Sequence, residues 1–361
     1  MKIYNVGGSV RDGILQRSVS DYDWLIVGAT EADIQSMLDE GYTQVGADFP
    51  VFLHPKTGDE YALARVERKT GTGYHGFSVQ YDSSVTLEDD LRRRDFTINS
   101  MARDMETGVL HDPFDGLKDL HNHVIRHTSE AFSEDPLRVL RLARFFARYN
   151  TFTVHPDTVQ LCRNISASGE LNSISEERIW VEIQKAFKEE KLTRFFEALS
   201  FTGALSGSDL LNRVIGDTFT NLQKACAKSC AMLPDGMKFD VGFSAIARDD
   251  AFDIKPNLIA KLVAVKKHLK GTAHTAQEVY DLLVACSAFR NGNFFNECIA
   301  LCCVLENSGV KVARKSFDLK MFRETACEVS SSMFPELEGK DLGIAIRETR
   351  IKNIQCVIDT L

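Results

Sequence analysis

The sequence predicts a chain of mixed class: an α/β head over about residues 1–127, followed by an all-helical remainder. Two observations carry this. Short β-type runs alternate with helical patterns in the first third, and from about residue 128 the apolar spacing becomes helical almost to the end. At 361 residues the chain also exceeds a single typical core, so two or more domains are expected.

In the head, residues 2–6 and 23–27 read as strands, and 49–54 and 60–65 as a third and fourth. Residues 10–15 and 31–40 read as helices. The stretch 69–84, rich in Gly, Thr, Ser and Tyr, is expected to be a mobile loop. Ser133-Glu134-Asp135-Pro136 has the form of a helix start, a capping side chain followed by proline in the first turn. Ser175-Glu176-Glu177-Arg178 opens a second helix. There is no internal repeat and no low-complexity segment.

Composition narrows the class. With 44% hydrophobic and 26% charged residues the chain is of soluble globular type. No apolar run approaches the roughly 20 residues of a membrane span. The start, Met1-Lys2-Ile3-Tyr4-Asn5-Val6, has no apolar signal core, so a cytoplasmic protein without membrane attachment is expected. Nine scattered cysteines then read as buried free thiols, with no zinc-type spacing. The net charge of −8 argues against polyanion binding over the whole surface, so a nucleic-acid partner needs a local basic stripe. Arg138, Arg141, Arg144 and Arg148 offer one, since their spacing puts them on roughly one helix face.

Asp21 and Asp23 lie two apart at the entry to the apolar run Trp24-Leu25-Ile26-Val27. On a strand they share a face, and two carboxylates on one face repel unless a cation sits between them. Mg²⁺ suits such a site, because it takes one or two carboxylates and completes its shell with water and phosphate oxygens. Glu60, at the start of another strand, can supply a third carboxylate. Gly7 and Gly8 follow a strand and precede a helix, where backbone N–H groups can approach phosphates, and Arg11 would add a charged donor. Asp135 and Arg138 are three apart and can meet one plane. A carboxylate accepts from an exocyclic amine and a guanidinium donates to a ring acceptor, so the pair would take cytosine and adenine and reject uracil and guanine without a template. Each of these signals has an ordinary structural alternative: a solvated turn, a strand-to-helix turn, a surface glutamate, a helix cap. Their order along one chain points to nucleotide transfer.

At this density of motifs the chain resembles the class II tRNA nucleotidyltransferases, the CCA-adding enzymes, of gammaproteobacterial type. Gly7-Gly8-Ser9-Val10-Arg11-Asp12 with Asp21 and Asp23 is similar to the family's first motif. Arg93-Arg94-Asp95-Phe96-Thr97-Ile98-Asn99 resembles the second, implicated in ribose and triphosphate contacts. Asp112-Pro113-Phe114-Asp115-Gly116 resembles the hinge between head and neck. Glu134-Asp135-Pro136-Leu137-Arg138-Val139-Leu140-Arg141 resembles the base-selecting motif, and Glu177-Arg178-Ile179-Trp180 the fifth. The resemblance is dense over about 1–200.

It implies an α+β fold: a polymerase-β-type nucleotidyltransferase head of mixed sheet and helices over 1–127, a helical neck carrying the base-selecting helix over 128–205, and a helical, tRNA-binding body and tail over 206–361. It implies addition of C, C and A to tRNA 3′ ends from CTP and ATP, with Mg²⁺ on Asp21 and Asp23 and release of pyrophosphate. The implied catalytic residues are Asp21, Asp23 and Glu60. The implied nucleotide contacts are Gly8, Arg11, Arg93, Arg94, Asp95, Asn99, Glu134, Asp135, Arg138 and Arg141. No protein partner is evident. One departure stands out. Long relatives carry a His-Asp metal phosphohydrolase domain in the second half, and here Ala247-Arg248-Asp249-Asp250 stands where its His-Asp pair is expected, so that second activity is not expected. The rival readings are a partial enzyme adding only CC or only A, a poly(A) polymerase, and a catalytically dead RNA-binding module. The intact candidate loop at 68–77 speaks against the CC-only type, the absence of a long basic tail against poly(A) addition, and the presence of both Asp21 and Asp23 against the dead module.

Overall fold

The structure is a computed structural model that describes residues 1–19, 22–45, 51–69, 77–251, 254 and 257–360. The chain forms two compact units, 1–208 and 209–361.

The first unit begins β1 (Lys2–Val6), α1 (Gly8–Ile14), β2 (Asp23–Val27), α2 (Glu31–Asp39), β3 (Thr43–Val45), β4 (Val51–Leu53) and β5 (Glu60–Leu63). It continues through β6 (Val66–Lys69), β7 (Phe77–Gln80), α3 (Leu87–Arg92), β8 (Ala102–Asp104), β9 (Leu110–His111), α4 (Gly116–His121) and β10 (Val124–Ile125). Seven strands form one mixed sheet in the order β3-β4-β5-β2-β1-β8-β9. Within it β2 and β5 run parallel, and the other neighbours antiparallel. Strand alternation sorts the apolar side chains into two cores. Tyr4, Val6, Leu25 and Ala102 pack with Leu91 on one face. Ile26, Phe52, Tyr61 and Leu63 pack with Met37 of α2 on the other. Asp23 and Glu60 fall on the Leu25 side by the same alternation.

The stretch expected to be one loop is partly ordered: β6 and β7 pair antiparallel from Val66↔Gln80 to Lys69↔Phe77, because Phe77 and Val79 supply a strand alternation within the polar run. Residues 70–76 of the candidate loop lie outside the described residues. Both α2 and α3 start with a reciprocal cap, Thr30 with Asp33 and Thr86 with Asp89.

The helical part of the first unit comprises α5 (Arg138–Arg148), the two-residue β11 (Thr153–Val154), α6 (Pro156–Ala167), α7 (Glu176–Ala186), α8 (Leu192–Phe201) and α9 (Ala204–Gly207). The helix expected from Ser133 begins later than its sequence suggests. A 3₁₀ turn over Glu130–Glu134 ends at Asp135, which is extended at φ −117° and ψ 101°. Pro136 is the cause, since its ring disfavours helical geometry in the residue before it.

The second unit is helical throughout its described residues: α10 (Asp209–Val214), α11 (Asn221–Ser229), α12 (Asp235–Ile246), α13 (Asn257–Leu269), α14 (Ala276–Ala285), α15 (Gly292–Asn307), α16 (Ser316–Cys327) and α17 (Gly339–Ile358). Its core is built on α15, with Phe295, Cys298, Leu301, Cys302 and Leu305 buried. All nine cysteines are free; six are buried, while Cys327 and Cys356 are exposed, against the expectation of uniform burial. Among the described residues no helix is long and apolar enough to cross a membrane.

Candidate active site

Parallel pairing of β2 with β5 sets Asp23 directly opposite Glu60. Residues paired this way point to the same face, so the two carboxylates are neighbours although 37 positions separate them in sequence. Asp21 lies outside the described residues. On the other side of β2, Val6 is opposite Asp23, which puts the following Gly7 at the same end of the sheet. Gly7 has φ +73°, and a Cβ there would stand 2.9 Å from Arg94 Nη1 and 3.8 Å from Asp23 Oδ2. A side chain there would collide with the guanidinium, so glycine lets Arg94 lie against this backbone close to Asp23. A bare backbone flanked by both signs of charge can take a metal-bound phosphate chain. Gly8 opens α1, and a Cβ on it would lie 3.4 Å from Arg11 Nη2.

Arg94 is aimed by a residue that the sequence reading passed over. Asp90, with no exposed surface, receives Arg93 on Oδ1 at 2.5 Å and Arg94 on Oδ2 at 3.0 Å. Burial drives its pKa up, but the two guanidiniums outweigh this and hold it below the usual carboxylate range. The signal was present as an acidic residue three and four positions before two arginines at the end of a helix. Arg93 also donates from Nε to the Arg65 carbonyl at 3.2 Å.

Arg11 departs from its expected role. It is 3% exposed, donates to both oxygens of Asp12 at 2.9 Å and to Asn99 Oδ1, and lies over the rings of Phe145 and Tyr149. Its donors are engaged by protein groups, because α1 packs it inward against α5 rather than toward a phosphate. Asn99 in turn donates to Asp95 Oδ1 at 2.9 Å, and Asp95 Oδ2 accepts from Arg141 Nη2 at 2.6 Å. A continuous buried chain, Arg11–Asn99–Asp95–Arg141, therefore joins α1 to α5. Burial raises the Asp95 pKa, yet Arg141 and Asn99 overcome it and bring the carboxyl down to about 2.

The basic stripe on α5 is likewise engaged by protein groups, although only Arg144 of the four is fully buried. Arg144, 8% exposed, donates to Glu182 of α7 at 2.7 Å and reaches Glu189 at 3.4 Å. Arg148 pairs with Asp12 at 2.8 Å, and Arg138 donates to the carbonyls of Ala131 at 2.7 Å and Arg93 at 2.5 Å. Periodicity placed these arginines on one face correctly; it did not reveal that the face is covered by carboxylates and carbonyls. As an open phosphate-binding stripe the reading is corrected.

At the start of α5 the expected base-reading pair is joined through the backbone, Arg138 N donating to the Asp135 carbonyl at 3.0 Å. Asp135 accepts from Leu137 N on Oδ1 at 3.1 Å and from Arg178 of α7 on Oδ2 at 2.9 Å. Arg178, from the fifth motif, was not among the expected contacts. Arg138 donates to the Arg93 carbonyl and Arg141 to Asp95, so the structure brings the second and fourth motifs together. Glu134 precedes Asp135 at the end of the 3₁₀ turn. In the third motif, Asp112 accepts from the N–H groups of Gly116 and Leu117 at 2.7 and 2.8 Å, and a Cβ on Gly116 would stand 2.2 Å from the Thr97 carbonyl, which explains the glycine.

In the second unit, Arg248 pairs with Asp250 at 2.6 Å. Asp249 receives two ammonium groups, Lys266 at 3.0 Å and Lys270 at 2.5 Å. Lys266 is 1% exposed and also donates to the carbonyls of Ser244 and Ala247. His268 and His274 are exposed. Among the described residues no group of three His, Cys, Asp or Glu side chains is placed to hold a metal ion.

Residues 3–126 match the family described as "Poly A polymerase head domain", and 151–207 match "Probable RNA and SrmB- binding site of polymerase A". The chain is 39% identical to the multifunctional CCA protein of Stenotrophomonas maltophilia (strain R551-3) over 410 residues, covering 98% of this chain and 99% of that protein. It is 58% identical to the CCA-adding enzyme of Pseudomonas putida (strain F1) over 207 residues, 57% of this chain and 55% of that protein. With the multifunctional CCA protein of S. maltophilia (strain K279a) identity is 56% over 207 residues, and the match spans about half of that relative's length, 50%. The fold is similar to a solved CCA-adding enzyme in an apo form, TM-score 0.70 at 21% identity over 98% of this chain and 88% of that one. It is also similar to the Thermotoga maritima CCA-adding enzyme complexed with tRNA, TM-score 0.67 at 20% identity over 98% and 87%. The 39% identity that extends over 98% of this chain and 99% of the S. maltophilia R551-3 protein leaves one assignment: the chain belongs to the CCA-adding enzyme family, the tRNA nucleotidyltransferases.

Proposed function

We propose that this chain adds C, C and A to the 3′ end of tRNA from CTP and ATP, without a nucleic-acid template and with Mg²⁺. The observation that carries the reading is the convergence of Asp23, Glu60, the bare Gly7 backbone and Arg94 at one end of the sheet. Asp23, with Asp21 from the sequence, would hold the metal, and Glu60 beside it adds a further oxygen donor. Neighbouring carboxylates beside a glycine backbone and a guanidinium suit a hard cation with phosphate oxygens in its shell. Bound there, Mg²⁺ supplies activation of the attacking hydroxyl and neutralisation of the departing pyrophosphate.

The chain's own groups do the rest. Arg94, held by Asp90, donates to the phosphates. Asp95 and Asn99 keep Arg141 in line with them. Asp135 has one bond on each oxygen and can accept another from the amine of C or A, while Arg178 holds its carboxylate in place. Arg138 is anchored on backbone carbonyls and presents its edge to the base. The expected setting is the cytoplasm, where uncapped tRNA ends meet both nucleotides.

The test is incubation with tRNA ending before its CCA, Mg²⁺ and labelled CTP or ATP, with the products sequenced. Addition of CCA and arrest supports the reading. A homopolymer of A would instead indicate poly(A) addition, addition of CC or A alone a partial enzyme, and no incorporation an RNA-binding module.

A further inference from the structure

Away from the carboxylates, the helical part of the first unit contains a cleft of about 380 Å³ between α5, β11, α6 and α8. Phe146 and Phe201 meet edge to face in it, ring centres 5.7 Å apart at 88°. The Arg194 guanidinium lies over Phe146, its Cζ 3.5 Å from the ring centre, and is fixed there by Nε donating to the Phe146 carbonyl at 2.8 Å and Nη2 to the Phe152 carbonyl. Arg163, exposed at the rim, donates Nε to the Phe201 carbonyl at 2.9 Å. Arg194 lies in the field of Glu197 on the same helix, whereas the rim arginine, Arg163, forms no ion pair with a carboxylate among the described residues, unlike the neutralised arginines of α5. Thr153 adds a hydroxyl at the mouth, and Val159 forms part of the apolar wall.

We propose that this cleft binds one unstacked nucleobase of the RNA substrate, with its flanking phosphate on Arg163. The proposal rests on the reading that the chain acts on tRNA. Three features favour RNA as occupant. Aromatic rings and a guanidinium plane are the surfaces on which splayed-out bases stack. Arg163 gives positive charge at the rim in a chain of net charge −8. And every lining residue except Phe146 lies within 151–207, the segment matching the RNA-binding family. A base enters the apolar interior on its π-face, and the rim guanidinium meets the phosphate that remains in water. The cleft shares no residue with the transfer site.

The test uses the full chain with Val159→Trp, which fills the cleft, and Arg163→Ala, whose exposed side chain can be removed without disturbing the core. The readouts are affinity for a fluorescein-labelled tRNA lacking CCA, affinity for a labelled single-stranded hexaribonucleotide, and affinity for CTP. Each variant should weaken both RNA affinities about tenfold, the order expected for one base stack, with CTP affinity and melting temperature unchanged. Arg163→Ala should also lower the salt dependence of RNA binding by about one phosphate contact. Wild-type RNA affinity in a folded Arg163→Ala variant and in Val159→Trp would overturn the proposal and leave the cleft to a protein or small-molecule ligand. If Val159→Trp does not fold, the Arg163→Ala result decides. If the wild-type chain extends no tRNA, the proposed activity fails, and the hexaribonucleotide titration still reads the cleft.

Discussion

Replacing Asp95 by asparagine keeps the shape of the buried chain Arg11–Asn99–Asp95–Arg141 and removes its charge. The wild-type carboxyl sits at about 2 against an ordinary 3.8, with Asp95 6% exposed. At about 1.4 kcal/mol per pH unit, this depression corresponds to about 2 kcal/mol of stability. The sign follows from the direction. A depressed acid stabilises fully above its unfolded pKa, near 4, and the contribution is lost as pH falls through about 2. Breaking a buried ion pair costs about 3–5 kcal/mol when the partner is left uncompensated. Arg141 keeps a Glu182 oxygen at 4.0 Å and 32% side-chain exposure, so the cost should fall toward the lower figure. We expect Asp95→Asn to lose about 2–3 kcal/mol at pH 7 in urea unfolding followed at several pH values. Its stability should also lack the component that wild type loses between about pH 4 and pH 2. Equal unfolding midpoints at pH 7 together with an unchanged acid profile would refute the argument.

Asp23→Ala, and equally Asp21→Ala, should abolish transfer while leaving tRNA affinity nearly intact; wild-type incorporation by either in Mg²⁺ would count against the metal site. Gly7→Ala places a Cβ 2.9 Å from Arg94 Nη1 at φ +73°, so steady-state kinetics should show a large loss of kcat/KM, with about 1 kcal/mol of stability lost to backbone strain. Asp135→Ala should raise UTP and GTP use relative to CTP and ATP, whereas a residue that only caps a helix would cost about 0.5–2 kcal/mol with selectivity unchanged; the four nucleotide efficiencies measured beside a thermal melt separate the two. Arg144→Ala removes the nearest partner of the buried Glu182 and leaves it Lys185 at 3.8 Å and Arg141 at 4.0 Å, so it should cost about 3 kcal/mol, the lower end for a broken buried pair, while the salt dependence of RNA binding stays at the wild-type slope.

Much of the head was legible because its signals are local. Period-two alternation marked β1 and β2 at their observed bounds and put Asp23 on the same face as Leu25. The glycine pair after a strand announced a backbone that must approach something closely, and the change from strand to helix spacing announced the helical remainder. The helix start at Ser133 was misplaced for an equally local reason, the restriction Pro136 imposes on Asp135.

Which charges are available, by contrast, was decided only by tertiary structure. Helical spacing put four arginines on one face of α5, but their partners arrive from far along the chain: Asp12 for Arg148, Asp95 for Arg141, Glu182 for Arg144. A charge is spent or free according to what packs against it, and no period encodes that. The same holds for Glu60, made a neighbour of Asp23 by parallel pairing, and for Arg178, which reaches Asp135 from another helix. The cleft at Phe146 and Phe201 exists only where four elements fail to close on one another. Short-range sterics and alternation are written residue by residue and can be read there. Pairing of buried charges and the shape of a cavity are set by contacts between distant segments, which the folded chain alone brings together.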